Sequence, residues 1–233
     1  MVALLGVLVL GIAHLAVPMQ AAAQRVMLRT DDGVSLVASW YEPANRPAPA
    51  VVLVHMLQRS RKDWDSFASR LAADGIGALA VDLRGHGESQ GSAGENLSLM
   101  LQDVKAARRH LATQVEVNHA RIGLAGASAG ANLVALEASA DTGTASLALL
   151  SPSLDYRGLR IEAAVRKYGS RPLLLVAGDD DPYALRSAKD LQKAGSGIRE
   201  LLVLRNAGHG TGMLKAPEDL PRQLVEWFRR TLQ

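Results

Sequence analysis

Ser128 lies at the centre of Gly126-Ala127-Ser128-Ala129-Gly130. A serine hydroxyl is a weak nucleophile until a base takes its proton, and that base needs a partner to hold its tautomer. The chain offers both. His209 stands between two glycines in Gly208-His209-Gly210, and Asp179, Asp180 and Asp181 stand in a row before Pro182. Small residues two positions either side of a serine suit a sharp turn from strand into helix, with the hydroxyl pushed out past the end of the sheet. Such residues leave no side chains where strand and helix come close. A helix beginning at the serine directs free backbone N–H groups to the place where negative charge would develop. In an Ala/Gly-rich chain the same pattern also suits a plain tight turn, so the other groups must decide.

The sequence contains six histidines. His14 lies in an apolar leader, His110 on a charged helix and His119 just after it, positions that suit leader or solvated side chains. His55 and His86 precede Ser128 in tight motifs. His209 follows the last expected strand, with flanking glycines that leave its backbone free to turn. Three adjacent acids cannot all face one imidazole. Asp181 is preferred because it lies furthest out of the strand and precedes Pro182, which stiffens the turn. Asp179 and Asp180 stay open as alternatives. Asp181 is also placed to cap the following helix, and one carboxylate cannot easily serve a cap and a histidine with the same oxygens.

These groups need elements to carry them. Val26–Thr30 and Val34–Tyr41 flank Asp31-Asp32-Gly33 and read as a β-hairpin. Ala50–Val54, Ile76–Val81, Arg121–Ala125, Ala145–Leu150, Leu173–Ala177 and Leu201–Leu204 are short apolar runs, the mark of strands buried on both faces of a parallel sheet. Helical patterns fall between them: Asp63, as a cap, through Ala72, then Leu97–Thr113, Ala131–Ala138, a short helix near Ile161–Lys167, Tyr183–Lys193 and Glu218–Leu232. Strands alternating with helices predict an α/β fold: a mostly parallel, doubly wound, eight-stranded sheet with an antiparallel N-terminal edge. Ligands of such sheets bind beyond the carboxyl ends of the strands. Ser128, Asp181 and His209 each fall at such an end.

Composition narrows the function further. The 233 residues are 48% hydrophobic and 21% charged, ordinary for one large globular domain. The formal charge of +3 and scattered basic residues give no footprint for nucleic acid. Without cysteine there is no thiol nucleophile, disulfide framework or thiolate metal site. No phosphate-loop or dinucleotide fingerprint appears, so no cofactor and no metal are expected. Met1–Val17 carries no charged side chain, and Ala21-Ala22-Ala23 follows. That pattern predicts a signal peptide over 1–23 and a catalytic domain over 24–233, hence export to the periplasm or medium; an uncleaved membrane anchor is the alternative. No stable membrane association is expected once the leader is cleaved. Asn96-Leu97-Ser98 matches a short glycosylation sequon.

The order Ser128…Asp181…His209 resembles that of the α/β-hydrolase superfamily. The resemblance covers the chain after residue 25 and includes Asp82-Leu83-Arg84-Gly85-His86-Gly87-Glu88-Ser89, similar to the loop after the fourth strand of many members. The chain looks most like small, lidless members close to dienelactone hydrolases and bacterial carboxylesterases. It carries Ser128 where true dienelactone hydrolases carry cysteine, and Met56 after His55 where a glycine is common. The resemblance implies backbone N–H donors at Leu57 and Ala129 for an oxyanion, a structural His86, and a His55 that holds the loop from beneath. A glycine conformation with φ > 0 at Met56 would be costly. The activity implied is hydrolysis of small or medium carboxylic esters, with a small-molecule ester as partner. Lactone, thioester or amide hydrolysis on the same groups, or an inert binding protein on the same fold, are the alternatives. Arg59, Arg61 and Lys62 form a basic loop that either is solvated or favours acidic substrates.

Overall fold

The apolar runs up to Leu173–Ala177 become strands because they are almost wholly buried on both faces, while the last, Leu201–Leu204, forms an edge strand that is only partly buried. The computed structural model describes residues 23–92, 94, 96–215 and 219–232. Residues 1–22 of the expected signal peptide lie outside the described residues. In chain order the elements are β1 (Gln24–Arg29), β2 (Ser35–Tyr41), β3 (Ala48–Val54), α1 (Asp65–Ala73), β4 (Gly77–Val81), α2 (Leu101–Leu111), β5 (Val117–Ala127), α3 (Ala129–Ala140), β6 (Thr144–Leu150), β7 (Asp155–Tyr156), β8 (Leu159–Arg160), α4 (Glu162–Tyr168), β9 (Leu173–Gly178), α5 (Pro182–Gln192), β10 (Arg199–Leu204) and α6 (Leu220–Thr231). Short 3-10 segments precede α1 (Arg61–Trp64), α2 (Leu97–Met100) and α6 (Gly210–Lys215).

Eight strands form one sheet in the order β1-β2-β4-β3-β5-β6-β9-β10. β1 pairs antiparallel with β2 and β2 antiparallel with β4, while the pairings from β4 through β3, β5, β6 and β9 to β10 are parallel. The expected sheet and its antiparallel edge are therefore present. Its two faces carry separate apolar cores. One is covered by α2, α3, α4 and α5 through residues such as Val104, Leu133, Val165 and Ala188. The other is covered by α1 and α6 through Phe67, Leu71, Leu224, Trp227 and Phe228. With helices on both faces, the carboxyl ends of the parallel strands are left as the open rim of the molecule.

One local expectation fails and one element was not expected. Asp63 does not cap α1: it lies inside the preceding 3-10 turn, and the residue at the cap is Trp64, which makes no side-chain cap bond. The Asp63 carboxylate is spent on tertiary partners described below. The β7–β8 hairpin, paired Asp155 to Arg160 and Tyr156 to Leu159, was not legible as strands because two residues a side carry no periodicity.

Candidate active site

β5 runs into α3 through Ser128, whose φ of 52° and ψ of −118° are outside the regions comfortable for a side-chain-bearing residue. Such a conformation costs roughly 1–3 kcal/mol and persists only where the surroundings over-determine it. The surroundings here are tight. A Cβ on Gly126 would sit 2.3 Å from the Gly130 carbonyl oxygen, and one on Gly130 would sit 2.5 Å from the backbone oxygens of Val54 and His55. The two glycines let α3 press against β3 and β5. The Ser128 N–H donates to the Leu150 carbonyl at 2.8 Å, which pins the turn to the end of β6. Ser128 is 7% exposed and stands at the N-terminus of α3, whose first N–H groups have no partner within the helix.

Asp181 and His209 follow β9 and β10. His209 Nδ1 and Asp181 Oδ2 are 2.5 Å apart. The contact with a carboxylate makes Nδ1 the protonated donor and leaves Nε2 as the free basic nitrogen. Asp181 also caps α5: its Oδ1 accepts the Ala184 N–H at 3.2 Å. Cap and histidine were expected to compete for one carboxylate; they do not, because each takes a different oxygen. Asp179 and Asp180 turn elsewhere. Asp179 Oδ1 accepts the Asn206 N–H at 2.8 Å, and both oxygens of Asp180 lie 3.1 Å from the Gly208 nitrogen. These two acids shape the loop that carries His209, while only Asp181 meets its ring.

The elbow and the histidine loop are linked through two adjacent residues. The carbonyl that holds Ser128 belongs to Leu150, and the next residue, Ser151, accepts the Gly210 N–H on its Oγ at 2.9 Å. Ser128 and His209 therefore hang from adjacent residues at the end of β6. Ser151 carried no sequence signal beyond closing a strand.

On the other side lies the loop after β3. His55 is buried and its Nε2 accepts the Leu83 N–H at 3.0 Å, so Nδ1 donates to the Met56 carbonyl at 2.7 Å. Burial lowers its pKa to about 4, so His55 stays neutral and serves as a fixed bridge beneath the loop. The His86 ring lies 5.2 Å from that of His55, tilted by 57°, and its Nδ1 bonds the Arg84 carbonyl at 2.9 Å. Both are built into the scaffold, as the resemblance implied. The left-handed residue of the loop is Gln58, with φ of 61°, and not Met56. The absent glycine thus costs nothing at position 56. Leu57 is half-buried between them, packed against the core.

The basic loop is not a free cationic patch. Arg61 is buried and pairs with Asp82 and Glu88, and Arg59 is bound twice to Asp63 at 2.8 Å. Lys62 is exposed. Asn132, one turn beyond Ser128 on α3, was also missed. Its buried amide donates to the carbonyls of Ser153 at 2.8 Å and Leu159 at 2.7 Å and accepts the Ser153 N–H at 3.1 Å, fastening the β7–β8 hairpin to the elbow helix. Among the described residues no group of three or more His, Asp or Glu side chains is placed to hold a metal ion, and no helix is long and apolar enough to cross a membrane.

The family model for "Serine aminopeptidase, S33" matches residues 45–171, more than half of the chain. The chain belongs to this α/β-hydrolase family. This hydrolase is 28% identical over 232 residues to uncharacterized proteins from two strains of Mycobacterium tuberculosis, covering 91% of this chain and 79% of theirs. Its fold is similar to that of a dienelactone hydrolase from Anabaena variabilis, with a TM-score of 0.77 at 18% identity over 92% of this chain and 100% of that one. It is also similar to an esterase from Pyrococcus furiosus, with a TM-score of 0.72 at 18% identity over 91% of this chain and 92% of that one. At such identities the likeness is one of fold. The family match ends before Asp181 and His209, so the hydrogen bond between them is an observation independent of it.

Proposed function

We propose that this hydrolase cleaves small or medium carboxylic esters through an acyl-enzyme formed on Ser128. The observation that carries the reading is the 2.5 Å contact of His209 Nδ1 with Asp181, which leaves Nε2 free as a base at the same sheet end as the strained serine. In this mechanism Nε2 takes the Ser128 proton as Oγ attacks the ester carbonyl. The backbone N–H groups of Leu57 and Ala129 hold the oxyanion, each worth about 3 kcal/mol. His209 returns the proton to the leaving alcohol, and Asp181 stabilises its transient positive charge. Water, activated by the same histidine, then frees the acid. No metal or organic cofactor enters any step.

The decisive test is labelling by a fluorophosphonate probe, with a panel of p-nitrophenyl esters of graded chain length. Ser128→Ala should abolish both labelling and turnover. The family description names an aminopeptidase, so an amino-acid p-nitroanilide belongs in the same panel; faster turnover of the anilide would make amide hydrolysis the better reading. Wild-type protein that neither labels nor turns over any substrate would leave an inert binding protein.

The proposed setting is outside the cytoplasm, with residues 1–23 removed. It is supported by the apolar run, by Ala21-Ala22-Ala23 and by the start of β1 at Gln24. N-terminal sequencing of exported protein should read from Gln24. Intact Met1 in a membrane fraction would favour an anchor.

A further inference from the structure

The loop carrying Leu57 and the loop carrying His209 are joined by a side-chain knot that none of the proposed chemistry uses. Asp63 lies in the turn after the Leu57 loop, with its side chain 13% exposed. Its Oδ2 accepts from Arg59 Nε at 2.8 Å and from Thr211 Oγ1 at 2.5 Å, and its Oδ1 accepts from Arg59 Nη2 at 2.8 Å. Arg59 belongs to the Leu57 loop itself: its N–H closes a turn on the Met56 carbonyl at 3.3 Å. Thr211 is two residues past His209, is 5% exposed, and is the second residue of the 3-10 segment that continues the histidine loop. Between them Met56 packs on Gly210 so closely that a Cβ there would lie 2.6 Å from the Met56 sulfur.

Burial alone would raise the Asp63 pKa, but the hydrogen bonds from Arg59 and Thr211 outweigh it and hold the carboxyl below its ordinary range. Asp63 is therefore ionised throughout any workable assay. A helix cap at this position would have faced its own chain; here the carboxylate instead reaches 148 residues along the sequence to Thr211.

We propose that Asp63 is a positioning residue that fixes the distance between the oxyanion donor at Leu57 and the base at His209, with Thr211 and Arg59 as its two handles. The inference rests on the proposed roles of Leu57 and His209. Asp63 acts through the two loops and touches no reacting atom. Its effect falls on the transition state because the oxyanion and the shuttled proton are at opposite ends of one reacting carbonyl. Both must be in place at the same moment, and misplacement of either costs rate far more than binding.

The test uses the full chain and compares Thr211→Val, which deletes only the hydroxyl, with Thr211→Ser, which keeps it. Exposed Arg59→Gln is the second handle in case the threonine variants fold poorly. Readouts are kcat and KM for p-nitrophenyl butyrate, the rate of fluorophosphonate labelling, and the melting temperature. Thr211→Val should lose at least about tenfold in kcat with KM within about twofold, Thr211→Ser should recover most of it, and Arg59→Gln should lose about threefold in kcat. A Thr211→Val enzyme with wild-type kcat overturns the proposal. So does a loss that follows the melting temperature and is not restored by serine. If wild-type protein is not labelled at Ser128, the proposed chemistry itself falls, and the tie with it; normal labelling with an unaffected Thr211→Val removes only the tie.

Discussion

Asp181→Asn separates the three acids, and its outcome follows from the geometry of one carboxylate. Oδ1 accepts the Ala184 N–H, and Oδ2 faces His209 Nδ1. An asparagine must keep its oxygen on Ala184, because the cap N–H needs an acceptor. Its amide NH2 then points at Nδ1. A donor facing Nδ1 forces that nitrogen to be the acceptor, so the proton moves to Nε2 and the imidazole can no longer take one from Ser128. The cap thus locks the amide in the inhibitory orientation. Loss of the correct tautomer in such a triad costs about 10⁴-fold in kcat, or about 5 kcal/mol of transition-state stabilisation. Stability should hardly change, since the cap survives. Asp179→Asn and Asp180→Asn retain acceptors for Asn206 and Gly208 and should cost less than about fivefold, because neither meets the ring. The assay is kcat for p-nitrophenyl butyrate, with melting temperatures recorded for all three variants. Equal losses at the three positions, or the largest loss at Asp179, would refute the assignment.

Three further outcomes are expected. His55 is held at a pKa of about 4 by burial while the unfolded chain titrates it near 6.5. Its contribution is whole above pH 6.5 and is lost as pH falls toward 4; by pH 4.5 it removes about 2.5 kcal/mol. Urea unfolding between pH 7.5 and 4.5 should show a steeper fall for wild type than for His55→Gln, and equal slopes would refute it. Gly130→Ala places a methyl 2.5 Å from two carbonyl oxygens of β3 and its loop and should destabilise by about 3 kcal/mol, measured by the same unfolding. Last, residues 151–172 between β6 and β9 hold only the β7–β8 hairpin and α4, with the hairpin fastened by Asn132. Too little chain is present there to cover the site, so activity should rise smoothly with ester concentration through the solubility limit; a sharp rise above it would reveal a moving lid.

Much of this hydrolase is legible from its sequence because the signals are local. Uninterrupted apolar runs such as Ala50–Val54 and Leu173–Ala177 can be buried only between two layers, and alternation with helices then dictates a parallel sheet. Gly126 and Gly130 mark a close approach whatever partner it is made with. Ser128, Asp181 and His209 stand out in the sequence because a nucleophile, an acid and a base for such chemistry would each fall at a strand end. Tertiary structure alone decided what reaches across the chain. The choice of Asp181 turns on which of its two oxygens meets which donor, and a sequence does not show that a cap and a histidine can share a carboxylate by dividing its oxygens. Asp63 looks like a helix cap because aspartate before an amphipathic run usually is one; its true partner, Thr211, becomes a neighbour only when β3 and β10 are brought to the same rim. The basic run Arg59-Ser60-Arg61-Lys62 reads as a charged surface, yet Arg61 is buried on Asp82 because the 3-10 turn rotates it inward. Periodicity and turn chemistry report how a segment meets its immediate neighbours, whereas the pairing of a charged or hydroxyl side chain depends on which distant loops the sheet order places side by side.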